Sequence, residues 1–324
     1  MSFAAGLAIT LFLPLKTPLV LGVAPAIGIG AGLLSMPKAH AKSAAEWLES
    51  GNRKCRRGNY QDGIADYNKA NDIKPDFVDA YISRGTAKYY IMDYQGVITD
   101  MSTAIEINPY LDDSFIIRGL AKLELKKYKG AVLDFNSALE INPKNTLALN
   151  NRALAKVRSK DYKGAMSDYN EAININPEYS LPFYNRGLLK FHLMDKEGAV
   201  EDWSKAIEIN PQFSNAYKDR GVAKDDLGDR EGAMRDYNKA IDIDPKNSLA
   251  YYNRGLLKYH LMDKEGAIED WSKAIEINPQ FIEAYKDRGI TYEEKDNLAA
   301  ACTDWRKASR LGDNITTKWV EELC

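Results

Sequence analysis

Seven prolines, Pro75, Pro109, Pro143, Pro177, Pro211, Pro245 and Pro279, each stand 34 residues after the one before. A fixed period of this length implies a row of like units, each too small to bury its own apolar face and each completed by its neighbours. Proline cannot continue a helix, so each marks a place where a helix stops. The period therefore predicts stacked helical hairpins.

Cutting at that period gives eight units, residues 44–77, 78–111, 112–145, 146–179, 180–213, 214–247, 248–281 and 282–314, the last with Asp313 where the others carry proline. The first helix of the unit, helix A, carries Gly51, Gly85, Gly119, Gly187, Gly221, Gly255 or Gly289, with Ala153 in the fourth unit. Glycine inside a helix costs about 1 kcal/mol, so its recurrence implies that helix B comes very close there. Helix B brings alanines from Ala70 to Ala308 and a large residue: Tyr67, Met101, Phe135, Tyr169, Trp203, Tyr237, Trp271 or Trp305. Burying one aromatic side chain contributes about 1.5 to 3 kcal/mol, enough to outweigh the glycine. Asp93, Asp161, Asp195, Asp229 and Asp263 stand where helix B begins and are expected to cap it. Residues 183–213 and 251–281 differ only at Phe183/Tyr251, Phe191/Tyr259 and Val200/Ile268, which points to duplication of a two-unit block.

The pattern Trp-x2-Leu-Gly-x2-Tyr, then Ala-x3-Phe, then Pro, laid on the seventh unit, falls on Tyr251, Arg254, Gly255, Lys258, Ala267, Trp271 and Pro279. On these residues the chain from about Ala44 resembles the tetratricopeptide repeat (TPR) superfamily, and its Asn-Arg-Gly and Ile-Asn-Pro segments resemble the long bacterial and organellar arrays. The resemblance implies an all-α fold, a right-handed superhelix (α-solenoid) of eight helix-turn-helix repeats whose A helices line a concave groove. Residues 315–324 then read as a capping helix with Trp319 and Leu323 as its buried stripe, since an array needs its apolar end covered.

Arginine replaces the expected leucine at Arg84, Arg118, Arg152, Arg186, Arg220, Arg254 and Arg288, with Lys54, Lys88, Lys122, Lys156, Lys190, Lys224 and Lys258 at the expected tyrosine position. An exposed ladder of this kind would suit a polyanion. Every unit also places an aspartate just before its core residue of helix B, from Asp66 through Asp202 to Asp304. The expectation is an Arg–Asp pair that joins the two helices of most units.

By the resemblance, the groove is lined at Ile82, Ile116, Tyr184 and Tyr252, at Asn151, Asn185 and Asn253, and at Leu120, Leu154, Leu188 and Leu256, with Phe191 and Tyr259 one turn on. The asparagines resemble the amide ladder by which some TPR superhelices hold an extended peptide, each amide offering donor and acceptor. Glu49, Ser83, Ile117, Asp219 and Asp287 interrupt the ladder. The clamp of Lys, Asn and Arg that chaperone-binding TPR domains use for a terminal carboxylate is absent from these positions. The alternative use of the apolar side chains is packing between neighbouring units. The expected partner is a protein or peptide segment; the rival reading is an assembly factor of a membrane or envelope complex acting through its convex face or repeat ends.

The 44 basic and 46 acidic residues leave a net charge of −2, which gives no reason to expect nucleic acid. No metalloprotease, P-loop or nucleophile-elbow motif is present, and His192 and His260 are copies of one position. No catalytic, metal or cofactor-binding residue and no small-molecule substrate is expected, so the chain reads as a non-enzymatic scaffold. Residues 1–41 carry one charge, Lys16, before Met36 and end in Ala39-His40-Ala41, as a cleaved export signal does. The apolar stretch 17–36 is also long enough for an uncleaved anchor, as about 20 apolar residues span a bilayer. The protein is thus expected to be exported to a periplasm, lumen or extracellular space, or held at a membrane, with the cytoplasm as the alternative. Cys302 and Cys324 lie either side of the turn at Asn314, where an antiparallel hairpin could bring them together as a disulfide if the protein is exported; the alternative is that Cys55, Cys302 and Cys324 are structurally incidental thiols.

Overall fold

The structure, a computed structural model, describes residues 42–324; the leader and its signal-or-anchor reading lie outside them. The described residues form seventeen α-helices and no strand. In chain order they are α1 (Ala44–Arg56), α2 (Tyr60–Ile73), α3 (Val78–Tyr90), α4 (Tyr94–Ile107), α5 (Asp112–Glu124) and α6 (Tyr128–Ile141). Next come α7 (Thr146–Arg158), α8 (Tyr162–Ile175), α9 (Ser180–His192), α10 (Lys196–Ile209), α11 (Ser214–Asp226) and α12 (Arg230–Ile243). The last are α13 (Ser248–His260), α14 (Lys264–Ile277), α15 (Ile282–Glu293), α16 (Leu298–Arg310) and α17 (Asn314–Leu323). Odd and even helices pair as the A and B helices of one hairpin, and each B helix packs on the next A helix, which is solenoid order.

Local chemistry sets each boundary. Asp93, Asp161, Asp195, Asp229 and Asp263 each accept the backbone N–H of the glycine three residues on, which caps the B helix. At the other end, the N–H of Asn108, Asn142, Asn176, Asn210 or Asn278 closes the last turn on an alanine carbonyl. Asn108, Asn176, Asn210 and Asn278 also accept an N–H two residues on with the side-chain oxygen, so Ile-Asn-Pro is an Asx turn built over the proline. The A-to-B turn needs one left-handed residue per repeat. Gly58 and Gly228 supply it freely at φ 82° and 88°, whereas Met92, Met194 and Met262 are held there at 63°, 68° and 65°.

Between the two helices of a repeat the large B residue lies directly over the A glycine. A Cβ built on Gly187 would meet Trp203 Nε1 at 2.7 Å, and one on Gly119 would meet the Phe135 ring at 2.8 Å. The glycine thus makes room for a ring rather than for the partner backbone alone. Trp203 and Trp271 donate their indole N–H to the carbonyls of Tyr184 and Tyr252, each at 3.2 Å, so both buried donors are satisfied.

The two ends of the described array are built differently from its interior. Inner A helices place small buried residues, such as Ala80 and Ala87, or Ala216 and Ala223, where the preceding B helix packs. In α1 those positions hold exposed Glu46 and Arg53, a face suited to water. At the other end α17 covers α16, with Trp319 against Trp305 at 5.2 Å between ring centroids and Thr316 fully buried. Cys302 and Cys324 are joined by a disulfide with their Cα atoms 5.6 Å apart, and Arg306 Nη2 donates to the Cys324 carbonyl at 2.9 Å.

Candidate binding groove

The basic ladder is internal to the repeats, and Arg186 shows its geometry. Its Nε and Nη2 donate to the two carboxylate oxygens of Asp202 at 2.8 and 2.6 Å, a bidentate pair joining α9 to α10. Its Nη1 donates to Asn170 of the preceding repeat at 2.6 Å, so one guanidinium ties three helices. Lys190 adds a second cation to Asp202 at 3.0 Å. The same node recurs at Arg84, Arg118, Arg152, Arg220 and Arg254, each with its lysine, and Asn68, Ser102, Asn136, Ser204 and Asn238 take the backward bond. Arg288 ends the series with Asp304 and Ser272 but no lysine. In the first repeat Ser50 and Lys54 hold Asp66; burial alone would raise that carboxyl, and the two donors bring it below its usual value. In the first repeat Ser50 stands where the others carry arginine, and among the described residues no repeat precedes it.

With arginine and lysine committed to aspartate, the A-helix face that the resemblance assigns to a groove is left to other residues. Ile116 is core, 2% exposed, and Leu120 packs against the same cluster. Asn151 and Asn185 are buried, and their amides are used inside the chain: Asn151 Nδ2 donates to the Leu147 carbonyl at 2.8 Å and Asn185 Nδ2 to Asn150 Oδ1 at 2.9 Å. Asn253 is half-buried, as are Leu154, Leu188, Leu256, Phe191, Tyr252 and Tyr259, whereas Tyr184 is buried. The amide ladder is therefore not a continuous row of free amides, because Asn151 gives its N–H to its own helix and Asn185 gives its N–H to the preceding A helix. The leucines and aromatics keep part of their surface.

Bonds from one A helix to the next fix this face. Tyr184 donates to Asp219 at 2.8 Å, Tyr252 to Asp287 at 2.7 Å and Tyr259 to Glu294 at 2.6 Å, each reaching 35 residues ahead. The bond to Glu294 pushes the Tyr259 hydroxyl up to about 12, and burial is the larger cause for Tyr184 and Tyr252, which rise well above the usual phenol value. A second set of rungs reaches 30 residues ahead from the start of α2, α8, α10 and α14. Tyr60 stacks on Tyr90, Tyr162 bonds His192 at 3.1 Å, and Lys196 and Lys264 pair with Asp226 and Glu294 at 2.8 and 3.0 Å. The acids that receive these bonds were not singled out from sequence except at Asp219 and Asp287; aligning the units at a 34-residue offset would have exposed the pairing.

Among the described residues, no cluster of three or more His, Cys, Asp or Glu could hold a metal ion, and no helix is long and apolar enough to cross a membrane. His192 and His260 are both exposed, on different repeats. Cys55 is a free thiol whose pKa burial raises, bonded by the Tyr67 hydroxyl, an environment that does not favour a nucleophile.

Family models described as TPR repeat and Tetratricopeptide repeat match residues 226–261 and 248–281, and a further Tetratricopeptide repeat model matches 113–145 and 147–179. With the solenoid and its repeating hairpins, these matches define the class: an array of tetratricopeptide repeats. Among solved structures, a tetratricopeptide repeat protein from Parabacteroides merdae is 22% identical over 75% of this chain and 97% of its own, with a TM-score of 0.58. The Cut9–Hcn1 hetero-tetramer of the APC/C is 15% identical over 85% of this chain, which spans 55% of that one, with a TM-score of 0.61. MamA from Desulfovibrio magneticus is 18% identical over 54% of this chain and 99% of its own, with a TM-score of 0.50. At these identities the likeness is one of fold. No curated protein matches the sequence. An array of these repeats supports a protein–protein interaction scaffold.

Proposed function

We propose that the chain is a non-enzymatic scaffold that holds a peptide or protein segment along its concave face, outside the cytoplasm or tethered to a membrane by its N-terminal apolar segment. The observation that carries the groove reading is the row of half-buried Leu120, Leu154, Leu188, Phe191, Leu256 and Tyr259 on the A helices α5, α7, α9 and α13. Partly exposed apolar side chains in a contiguous row favour a partner. The amides contribute less than an unbroken ladder would, since Asn151 and Asn185 already bond within the chain. The apolar leader supports the location.

The second reading, an assembly factor acting through its convex face, draws on one observation. Leu133 is 66% and Tyr110 80% exposed, and Tyr110 lines an open notch with Pro109, Phe115 and Ile141. Capture from the native membrane or periplasmic fraction separates the two. L188E/L256E should abolish capture of the partner that the wild-type chain retains, and L133E should leave it intact; the reverse pattern selects the convex face. Mass spectrometry of the mature N-terminus tests the leader: a start near Lys42 means cleavage, and an intact Met1 with membrane association means an anchor.

A further inference from the structure

The last four repeats present two alternating surfaces to the groove. At the helix-A positions sharing that face, the fifth and seventh repeats carry leucines, tyrosine, asparagine, an aromatic and histidine, from Leu181 to His192 and from Leu249 to His260. The same positions carry Asp219, Asp225 and Asp226 in the sixth repeat and Glu283, Asp287, Glu293 and Glu294 in the eighth. Three of these acids are neutralised inside the chain: Asp219 by Lys218 at 2.6 Å, Asp226 by Lys196 and Glu294 by Lys264. The other four make no ion pair within 4.0 Å among the described residues. Asp287 is also the acceptor for Tyr252, and its burial raises the carboxyl.

A second, independent observation points the same way. Asn185 stands one repeat before Asp219 at the same position, is 5% exposed, and gives its Nδ2 to Asn150, yet its Oδ1 has no hydrogen-bond donor. That oxygen is enclosed by the protein, so it adds to the electron-rich character of this face without itself meeting a ligand. This half of the groove thus combines apolar area with acceptors and negative charge that lack counterparts.

We propose that it takes a segment of a partner protein in which lysine or arginine side chains alternate with apolar ones. The apolar side chains lie on Leu188 and Phe191, and again on Leu256 and Tyr259, while the cations meet Asp225, Glu283 and Glu293. The inference rests on the groove reading above and names the chemistry of the occupant. Because the two-repeat block is copied, a segment carrying the motif twice engages both copies, and the second contact is intramolecular.

The test uses the full-length chain and synthetic peptides of one length in three matched sets, with leucine and tyrosine interleaved by lysine and arginine, by glutamine, or by glutamate. By fluorescence anisotropy at low salt the cationic set should bind about tenfold tighter than the glutamine set, three contacts, at Asp225, Glu283 and Glu293, each contributing a factor of roughly 1.4 to 5. The preference should shrink as salt rises, and D225N/E283Q/E293Q should remove it with an unchanged melting temperature, since these side chains make no internal ion pair. Equal binding of the cationic and glutamine sets, or failure of all three to bind, overturns the inference. If L188E/L256E abolishes equal binding of the two sets, the groove reading stands and only the cationic specificity falls. If that variant leaves cationic binding unchanged, both fall.

Discussion

Replacing Arg186 by alanine perturbs the node that occurs in most repeats. The substitution removes three donated hydrogen bonds, two to Asp202 and one to Asn170, and leaves a carboxylate whose side chain is 5% exposed with Lys190 as its remaining cation. Removing one side of a buried pair costs about 3 to 5 kcal/mol, and the surviving lysine places R186A near the lower end, at about 3 kcal/mol. Lys190→Met removes one contact to Asp202 and a weaker bond to the Gly198 carbonyl, and should cost less, about 1 to 2 kcal/mol. The double variant leaves Asp202 with only neutral neighbours in the node and should cost more than the sum, because each cation covers the loss of the other. Urea unfolding followed by tryptophan fluorescence gives these differences, and hydrogen exchange locates them. Protection should fall in α8, α9 and α10, the three helices the guanidinium joins, and least in α1 and α2. An R186A chain within about 0.5 kcal/mol of wild type would mean that the pair behaves as a surface ion pair, and would refute this account of the ladder.

Four further outcomes follow from the same geometry. Gly187→Ala should destabilise by about 1 to 2 kcal/mol despite its gain in helix propensity, because its Cβ would press on the Trp203 ring; the melting temperature reports it. Met194→Gly and Met262→Gly should each raise stability by about 0.5 to 1 kcal/mol, since both methionines are left-handed and at least 73% exposed; a lowered urea midpoint would contradict this. Reducing the Cys302–Cys324 bond, which closes a separation of 22 residues, should cost about 3 kcal/mol and increase exchange in α16 and α17 alone; equal loosening across the array would argue against a local staple. Asp66 and Asp287 should respond to pH with opposite signs. Asp66 has a depressed carboxyl, so its bonds stabilise at neutral pH and that contribution is lost as pH falls below about 4; the cost of D66N, read as a urea midpoint, should vanish there. Asp287 has a raised carboxyl, so its ionisation opposes folding as pH rises through the folded value, and D287N should be tolerated better at pH 7 than D66N.

The parts of this fold that recur were legible in the sequence, because periodicity repeats the same evidence. Proline, capping aspartate, glycine and the ring over it each appear often enough that one unit explains another. Pairing Arg186 with Asp202 needed only helix-face geometry. The backward bond from Arg186 to Asn170 was missed because it crosses a repeat boundary, where stacking fixes the distance and sequence spacing does not. The same limit governs the candidate site. Helical spacing places Asn151, Asn185 and Leu188 on one face, but whether an amide is free or already used depends on the neighbouring repeat, and at Asn185 it is Asn150 that takes the bond. The αL methionines were illegible for a different reason: the two glycines at equivalent turns suggest a loose requirement, whereas the structure imposes positive φ at every A-to-B turn.

The central claim, that a partner lies along the concave face, is tested most directly by site-specific photo-crosslinking. A photoreactive residue placed singly at Leu188, Leu256 or Leu133 in the full-length chain is irradiated with the captured partner bound. The account predicts adducts from Leu188 and Leu256 to one continuous segment of the partner and none from Leu133. Adducts from Leu133 with none from the two groove positions would contradict it.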